Sequence, residues 1–100
     1  MSTNPETRAA GLQYRGYVEV AEIDDLKVGC RIRHRNEQYP EAYHSGTGTV
    51  ERIFHRKNES FERQWGHKDV ELIVKRDKPR FSPDDTHAFV ANYHVEVVTE

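Results

Sequence analysis

The chain has a single cysteine, Cys30, and no long apolar run, and each absence narrows what the protein can be. One cysteine excludes an internal disulfide, so nothing in the composition points to secretion. No apolar stretch approaches the roughly 18 residues needed to cross a bilayer. The polar start Met1–Glu6 does not resemble a signal peptide. We therefore expect a cytoplasmic protein that does not bind a membrane.

Recognisable catalytic motifs are also missing. There is no nucleophile elbow, no dinucleotide-binding glycine pattern and no paired-carboxylate signature. Gly46 and Gly48 lack the lysine and helix that follow in a phosphate-binding loop, and a hairpin bulge or close backbone approach explains them better. Cys30 shares strand parity with Val28 and Ile32, which predicts a small core residue rather than a nucleophile. We predict a non-enzymatic protein without a cofactor.

Histidine is the residue type in clear excess, and it raises the question of a metal site. Structural zinc needs ligands paired at close spacing. Cys30 and His34 are four residues apart, but on a strand that places them about 13 Å from each other. We therefore predict no metal site and scattered imidazoles. The six histidines are His34, His44, His55, His67, His87 and His94.

The size and charge of the chain indicate one small domain. Its 100 residues leave no room for a second core. The net charge of −2 argues against a dedicated polyanion binder. The charge is nevertheless uneven, because residues 51–80 carry nine basic and six acidic side chains, whereas residues 81–100 carry no basic and four acidic ones. A positive face could give this count, but charge alternation in a solvated segment is favoured.

Five short runs alternate apolar and polar residues, a period that predicts β-strands with one buried face. Such runs at short spacing predict a compact barrel or sandwich. Val50 and Ile53 have opposite parity, which requires a bulge or burial on both faces. In the third run Leu72 should point inward and Ile73 outward. The runs are Val28–His34, Gly48–Phe54, Asp69–Lys75, His87–Ala91 and His94–Val98.

The remaining segments carry weaker signals. Residues 1–13 lack periodicity, and we predict a disordered N-terminal tail there, followed by a single domain at 14–100. Tyr17–Ile23 is predicted to be an extra strand or an extended arm. Asp24–Gly29 is predicted to be a turn, with one helical turn capped by Asp24 as the alternative. His55–His67 is predicted to be a polar loop or a protruding hairpin tip.

The order of these elements resembles an SH3-like small barrel, including the tight turn at 91–93 before the last strand. Val28–His34 followed by Gly46–Val50 resembles the first hairpin of Tudor- and KOW-like barrels, examples of which close UvrD-type DNA helicases and sit on transcription factors. The ending Tyr93–Val98 is similar to that of small uncharacterised actinobacteriophage proteins. The resemblance covers residues 26–98.

This resemblance implies an all-β fold, a small five-stranded SH3-like barrel with long decorated loops and a flexible N-terminal arm. It also implies a binding role, in a protein that is phage-encoded. The chain departs from the helicase tails in three longer connections. It departs from peptide-binding SH3 domains because it has no dense aromatic row for a polyproline groove.

Alternating arginines on the first strand are the first candidate binding residues. Neighbours on one strand face lie about 6.5–7 Å apart, close to the phosphate spacing of a single nucleic-acid strand. The alternative is cross-strand pairing with Glu51, Glu71 or Glu96, each pair worth a few tenths of a kcal/mol. The proposed basic set comprises Arg31, Arg33, Arg35, Arg52, Arg56 and Lys57.

Aromatic residues in a polar stretch are the second candidates. Phe61 and Trp65 flank Arg63, and this combination is typical of interface anchors. The alternative is that the segment folds back onto its own barrel. Further aromatic residues that could line the same end are Tyr39, Tyr43 and Phe54.

Together these features predict a small adaptor that docks onto a protein of the replication or transcription machinery. The alternative is a nucleic-acid-binding module that uses the basic strand face and the loop aromatics. A third class is a small homo-oligomeric structural protein formed by pairing of an open sheet edge. We expect a monomer or a weak homo-oligomer.

Overall fold

A computed structural model of the chain describes residues 4–34, 46–78, 86–92 and 95–98. The fold is mostly β with two helices. In these residues neither helix has the length and apolar character to cross a membrane. The elements are α1 (Pro5–Tyr14), β1 (Val18–Val20), β2 (Glu22–Ile23), β3 (Leu26–Lys27), β4 (Arg31–His34), β5 (Gly46–Arg56), α2 (Glu59–Trp65), β6 (Asp69–Arg76), β7 (His87–Ala91) and β8 (Val95–Val97).

The five predicted runs all contain strands, and they form one antiparallel sheet in the order β7-β6-β5-β4-β8. β1 pairs with the second half of β5, and β2 and β3 form a separate hairpin. In the part of the chain described here, β7 and β8 are edge strands and the sheet is not closed into a barrel. The prediction of an all-β barrel is therefore only partly met. The sheet stays open, and helix α1 covers part of one of its faces.

A bulge in β5 explains the conflicting parity of its apolar residues. The β5–β6 register shifts between Val50 and Arg52, so Val50 and Ile53 both face the main core. The predicted bulge is confirmed. Gly48 is a close backbone approach, since a Cβ there would lie 2.4 Å from the Lys75 carbonyl oxygen.

Two clusters of buried side chains lie on opposite faces of the sheet. Ile73 points away from the main core, as predicted, yet it is fully buried because α1 covers it. Cys30 is half-buried and packs against the main core, so its predicted core position is met in part, whereas Val28, predicted on the same face, is 44% exposed. The main core comprises Leu26, Ile32, Val50, Ile53, Val70, Leu72, Val74 and Ala88. The second cluster comprises Ala9, Leu12, Tyr17, Phe54 and Ile73.

The disordered tail predicted for residues 1–13 is wrong over Pro5–Gln13, which belong to α1. The Asn4 side chain accepts a hydrogen bond from the Glu6 N–H at 2.7 Å, and Pro5 occupies the first helical position, where its missing N–H costs nothing. The sequence of this helix has almost no apolar periodicity, and only Ala9 and Leu12 are buried, so periodicity did not indicate a helix here.

Two further segments differ from their predicted conformations. His55–His67 contains α2 rather than only a loop, because Asn58 accepts the Phe61 N–H and Gly66 ends the helix at φ 76°. Residues 22–27 form the β2–β3 hairpin, with Asp24 at φ 54°, so the alternative of a helical turn is wrong. The connection containing Tyr39 and Tyr43 lies outside the described residues.

Candidate binding surfaces

The predicted binding residues fall into three places on the structure. Arg31 and Arg33 lie on β4, Arg52 and Arg56 lie on the second half of β5, and the rest precede or belong to α2. Arg35 lies outside the described residues. The α2 group comprises Lys57, Phe61, Arg63 and Trp65.

The β4 arginines share one face, as predicted, but acidic side chains lie against them. Arg31 donates from its two Nη atoms to the Asp77 carboxylate at 2.6 and 2.5 Å. This guanidinium, with the Thr47 hydroxyl, holds the pKa of Asp77 well below its usual range. Arg33 is more exposed, and its Nη1 lies 3.9 Å from Glu96 directly across the strand pair. Cross-strand pairing, the predicted alternative, is confirmed for Arg33 and Glu96.

Arg52 and Arg56 contact α1 and the residue that follows it, and they do not form a free basic surface. The β5 bulge turns both toward the face that α1 covers. Arg52 forms two hydrogen bonds with Glu19, at 2.8 and 2.7 Å, and a third at 3.2 Å with Glu6 of α1. The Arg52 guanidinium lowers the pKa of Glu19. Arg56 donates to the Arg15 carbonyl oxygen at 3.4 Å, just beyond the helix.

A buried polar network connects Arg56 to Asp69 of β6 and to Tyr17. The Tyr17 hydroxyl donates to Asp69 at 2.8 Å, and Arg56 Nε donates to the other oxygen of that carboxylate at 3.0 Å. Asp69 is buried, so these two donors compensate its charge. Burial, followed by the bond to Asp69, raises the pKa of Tyr17 to about 12. Burial also raises the pKa of Glu71, and the nearby Arg8 guanidinium at 3.5 Å opposes that rise.

The two other glutamates proposed as partners of the basic row pair elsewhere. Glu71 contacts Arg8 of α1, and Glu51 accepts from His87 at 2.5 Å. Phe54, which we had expected near a binding end, is fully buried under α1, and Arg52 lies over its ring at 5.3 Å. That prediction is wrong because the β5 bulge turns Phe54 toward α1.

The aromatic side chains of α2 form the most accessible apolar surface among the predicted site residues. We call Phe61, Trp65 and His67 the α2 aromatic patch. The Phe61 ring lies 6.4 Å from Trp65 and 5.2 Å from His67, measured between centroids. Trp65 is 59% exposed, and α2 has no fully buried residue. Phe61 and His67 are half-buried, so Trp65 is the exposed member of the patch.

Basic side chains accompany the α2 aromatic patch. Lys57 and Arg63 are both exposed. Within the described ranges, no carboxylate lies within 4.0 Å of either one. Of the predicted site residues, the α2 group therefore combines exposed aromatic surface with uncompensated positive charge.

Three adjoining depressions meet at Asn92, a feature that sequence reasoning missed. The smallest, of about 230 Å³, lies between Phe61, Arg15 and Arg56. The second, of about 480 Å³, runs beside Gly66 and His67 at the end of α2. The third, of about 600 Å³, lies between the β2–β3 hairpin and β8. The Asn92 Oδ1 atom is buried and accepts no hydrogen bond from the residues described.

No grouping of three or more His, Cys, Asp or Glu side chains that could hold a metal ion is found in the described ranges. His34 is fully buried on β4, and Cys30 is only half-buried four residues earlier. His55 lies on β5, opposite Val70 of β6. The histidines of the described part are therefore distributed over separate elements.

Comparisons with protein-family models, with curated proteins and with solved structures give no match to this chain.

Proposed function

We propose that this protein is a small non-catalytic adaptor that docks onto a partner protein through the α2 aromatic patch. The observation that carries this proposal is the 59% exposure of Trp65 beside the Phe61 ring. Tryptophan is usually buried to a large degree, and exposed aromatic groups are enriched where interfaces concentrate their binding energy. Arg63 of α2 and Lys57 just before the helix are exposed, and arginine is enriched at such interfaces.

The neighbourhood of α2 supports docking by a rigid surface. The helix is capped at both ends, by Asn58 and by Gly66, although it has only seven residues. A helix this short is marginal by itself, so the caps and the ring contacts of Phe61 fix its position. An aromatic side chain presented on a fixed backbone loses little conformational entropy when a partner covers it.

We further propose, on the basis of the resemblance to small barrels, that the partner is a protein of the replication or transcription machinery. We also propose that the chain is phage-encoded. The order of β4 to β8, with the last strand beside the first, supports an SH3-like relationship, as does the single short connection between β7 and β8. The open sheet and the two helices are departures from the simple barrel.

Nucleic-acid binding is the second candidate function, and the exposed cations Lys57 and Arg63 in the same segment as Trp65 favour it. Single-stranded nucleic acids bind where aromatic rings stack on bases and cations follow the backbone. Lys57 and Arg63 fit that description, but Arg31, Arg52 and Arg56 are engaged by Asp77, Glu19 and Asp69. Competing carboxylates reduce the number of phosphates that the sheet can neutralise, so protein docking is the better supported function.

The test of docking compares two exposed aromatic residues. Tagged wild-type protein, Trp65→Ala and Tyr14→Ala are used to capture partners from cells in which the chain is expressed, followed by mass spectrometry. Tyr14 is 93% exposed on α1, so its variant is a matched control for loss of surface aromatic area. We expect Tyr14→Ala to retain the partner and Trp65→Ala to weaken its capture by about 2 kcal/mol or more. Equal capture by all three proteins would contradict the proposal.

A salt titration separates the second candidate from the first. Fluorescence anisotropy with a labelled single-stranded oligonucleotide is measured at roughly 50 and 200 mM salt. Binding through several phosphates weakens steeply over that interval, whereas a mainly apolar protein contact changes little. Strong, salt-sensitive binding that Lys57→Gln and Arg63→Gln reduce would favour nucleic acid. Absence of binding at the lower salt would exclude it.

A further inference from the structure

We propose that the groove between the β2–β3 hairpin and β8, which we call the β8 groove, binds an extended basic segment of a partner protein by adding it as a strand to β8. The β8 groove is distinct from the α2 aromatic patch, because neither Trp65 nor Phe61 lines it. Its volume of about 600 Å³ is in the range of built binding sites.

The hydrogen-bonding pattern leaves one edge of β8 open toward the groove. The Val98 N–H donates to the Arg31 carbonyl oxygen at 2.9 Å, so Val98 and Arg31 are a hydrogen-bonded pair. In an antiparallel ladder such pairs alternate with pairs whose polar groups point outward. The N–H and C=O groups of Val95 and Val97 therefore point away from β4. In the described residues no backbone partner is found for them on that side.

The strand is short and carries the charged Glu96, but it lacks three other features that usually prevent edge pairing. Natural edges are protected by lysine, by proline or by a bulge. β8 has the sequence Val95-Glu96-Val97, and its pairing with β4 is regular. An extended peptide that pairs with Val95 and Val97 would satisfy their free groups, which is the mode of strand addition.

The lining of the groove selects the chemistry of that peptide. Its floor is apolar, formed by Ile23, Leu26 and the two β8 valines, and Leu26 belongs to the main core. Its charged lining is entirely acidic and comprises Asp24, Asp25 and Glu96. A segment that alternates apolar and basic residues would place one set on the floor and the other beside the carboxylates.

The existing partners of these carboxylates leave room for an incoming cation. Asp24 accepts from Lys68 Nζ at 2.9 Å, whereas Glu96 lies 3.9 Å from Arg33 and is 76% exposed. Asp25 is exposed and has no ion-pair partner in the described part of the chain. We therefore expect Asp25 and Glu96 to carry most of the charge recognition.

The experiment uses the full chain and a short capped peptide of alternating lysine and valine as the probe. A peptide of equal length that alternates glutamate and valine is the control for charge. NMR titration follows the amide signals of the protein, and the signals of Val95 and Val97 should shift with the lysine peptide. The double variant Asp25→Asn and Glu96→Gln should weaken binding by about tenfold. The matched variant Glu59→Gln, on exposed α2, should leave it unchanged.

A proline substitution tests the strand-addition geometry. Val97→Pro removes an N–H that points into the groove and spares the ladder to β4, a position at which edge strands tolerate proline. We expect this variant to keep the fold and lose the peptide. If Val97→Pro does not fold, the proposal is tested by the double variant Asp25→Asn and Glu96→Gln, because both of these side chains are exposed.

Three results would overturn the proposal. The first is no binding of the lysine peptide, and the second is equal binding of both peptides. The third is a concentration-dependent dimer of the protein alone that the Val97→Pro variant cannot form, which would identify a second copy as the occupant. Trp65→Ala should bind the lysine peptide normally, so failure of the docking function at α2 and failure at β8 remain distinguishable.

Discussion

Truncation of Leu12 is the most direct test of whether α1 is an integral part of the fold. Leu12 is 1% exposed and packs in the cluster with Tyr17, Phe54 and Ile73. Leu12→Ala removes three carbons, which corresponds to about 2.4 kcal/mol of transfer free energy, and leaves a cavity that adds to the loss. Buried leucine-to-alanine changes cost about 2–5 kcal/mol, and a terminal helix can shift to fill part of the gap. We expect a loss of about 2–3 kcal/mol.

The measurement is urea denaturation followed by circular dichroism, together with thermal melting. In a domain of this size each kcal/mol changes Tm by about 4–8 °C, so a decrease of roughly 10–20 °C is expected. Tyr14→Ala on the same helix is the control, because this side chain is 93% exposed and its loss should change stability by less than about 0.5 kcal/mol. If Leu12→Ala also changes stability by less than about 0.5 kcal/mol, α1 does not cover the sheet and the assignment of Arg52 to helix clamping is wrong.

Two further predictions concern the pH response and the strand contact at Gly48. The pKa of Tyr17 is raised from 10.0 to about 12, so its stabilisation is complete below about pH 10 and is lost as the pH rises toward 12. Tyrosinate absorbance should show a late-ionising component that Tyr17→Phe removes, and ionisation of all tyrosines together near pH 10 would contradict this. Gly48→Ala places a Cβ 2.4 Å from the Lys75 carbonyl oxygen and should lower the free energy of unfolding by about 2 kcal/mol or more in urea denaturation. Its control, Gly11→Ala in α1, meets no atom within 4 Å and should stabilise by about 0.5–1 kcal/mol, and equal effects would refute the steric argument.

The strands could be predicted because alternation records burial directly. Leu72 and Val74 share strand parity between the charged residues Glu71 and Lys75, and the structure buries both in the main core, whereas Ile73 between them is buried on the other face. The parity conflict between Val50 and Ile53 was also readable, since a strand without a bulge cannot send both to one core. These signals are local, so they needed no knowledge of what packs against the sheet.

The helices could not be predicted from periodicity because neither of them buries a full apolar stripe. Ala9 and Leu12 are the buried residues of α1, and α2 has no fully buried residue. Their boundaries did leave signals, namely Asn4 before Pro5, and Asn58 eight residues before Gly66. Such capping pairs indicate where a helix can begin and end, but they do not show that tertiary contacts will stabilise it.

The positions and partners of the proposed basic set could be predicted only in part, for a similar reason. Strand parity correctly put Arg31 and Arg33 on one face, and Glu96 was foreseen as a cross-strand partner. The partners of Arg52 depend on β1 and α1, which are distant in sequence. Glu19 reaches Arg52 because β1 pairs with β5 beyond the bulge, and no local pattern encodes that pairing.

The position of α1 therefore decides which surfaces of this protein are available to a partner. A disordered N-terminus would remove Glu6 from Arg52 and would expose Phe54, so an aromatic ring beside Arg52 would become open to a nucleic-acid base, although Glu19 would still pair with Arg52. With α1 in place, that face is covered and its charges are paired. Exposed aromatic side chains among the described residues then include Tyr14 on α1 and Trp65 on α2, and an open hydrogen-bonding edge lies on β8. In a variant without α1 that retains its strand signal in circular dichroism, affinity for single-stranded oligonucleotides should accordingly increase while the lysine peptide still binds β8. A decrease in oligonucleotide affinity of that folded variant would show that α1 does not mask the sheet.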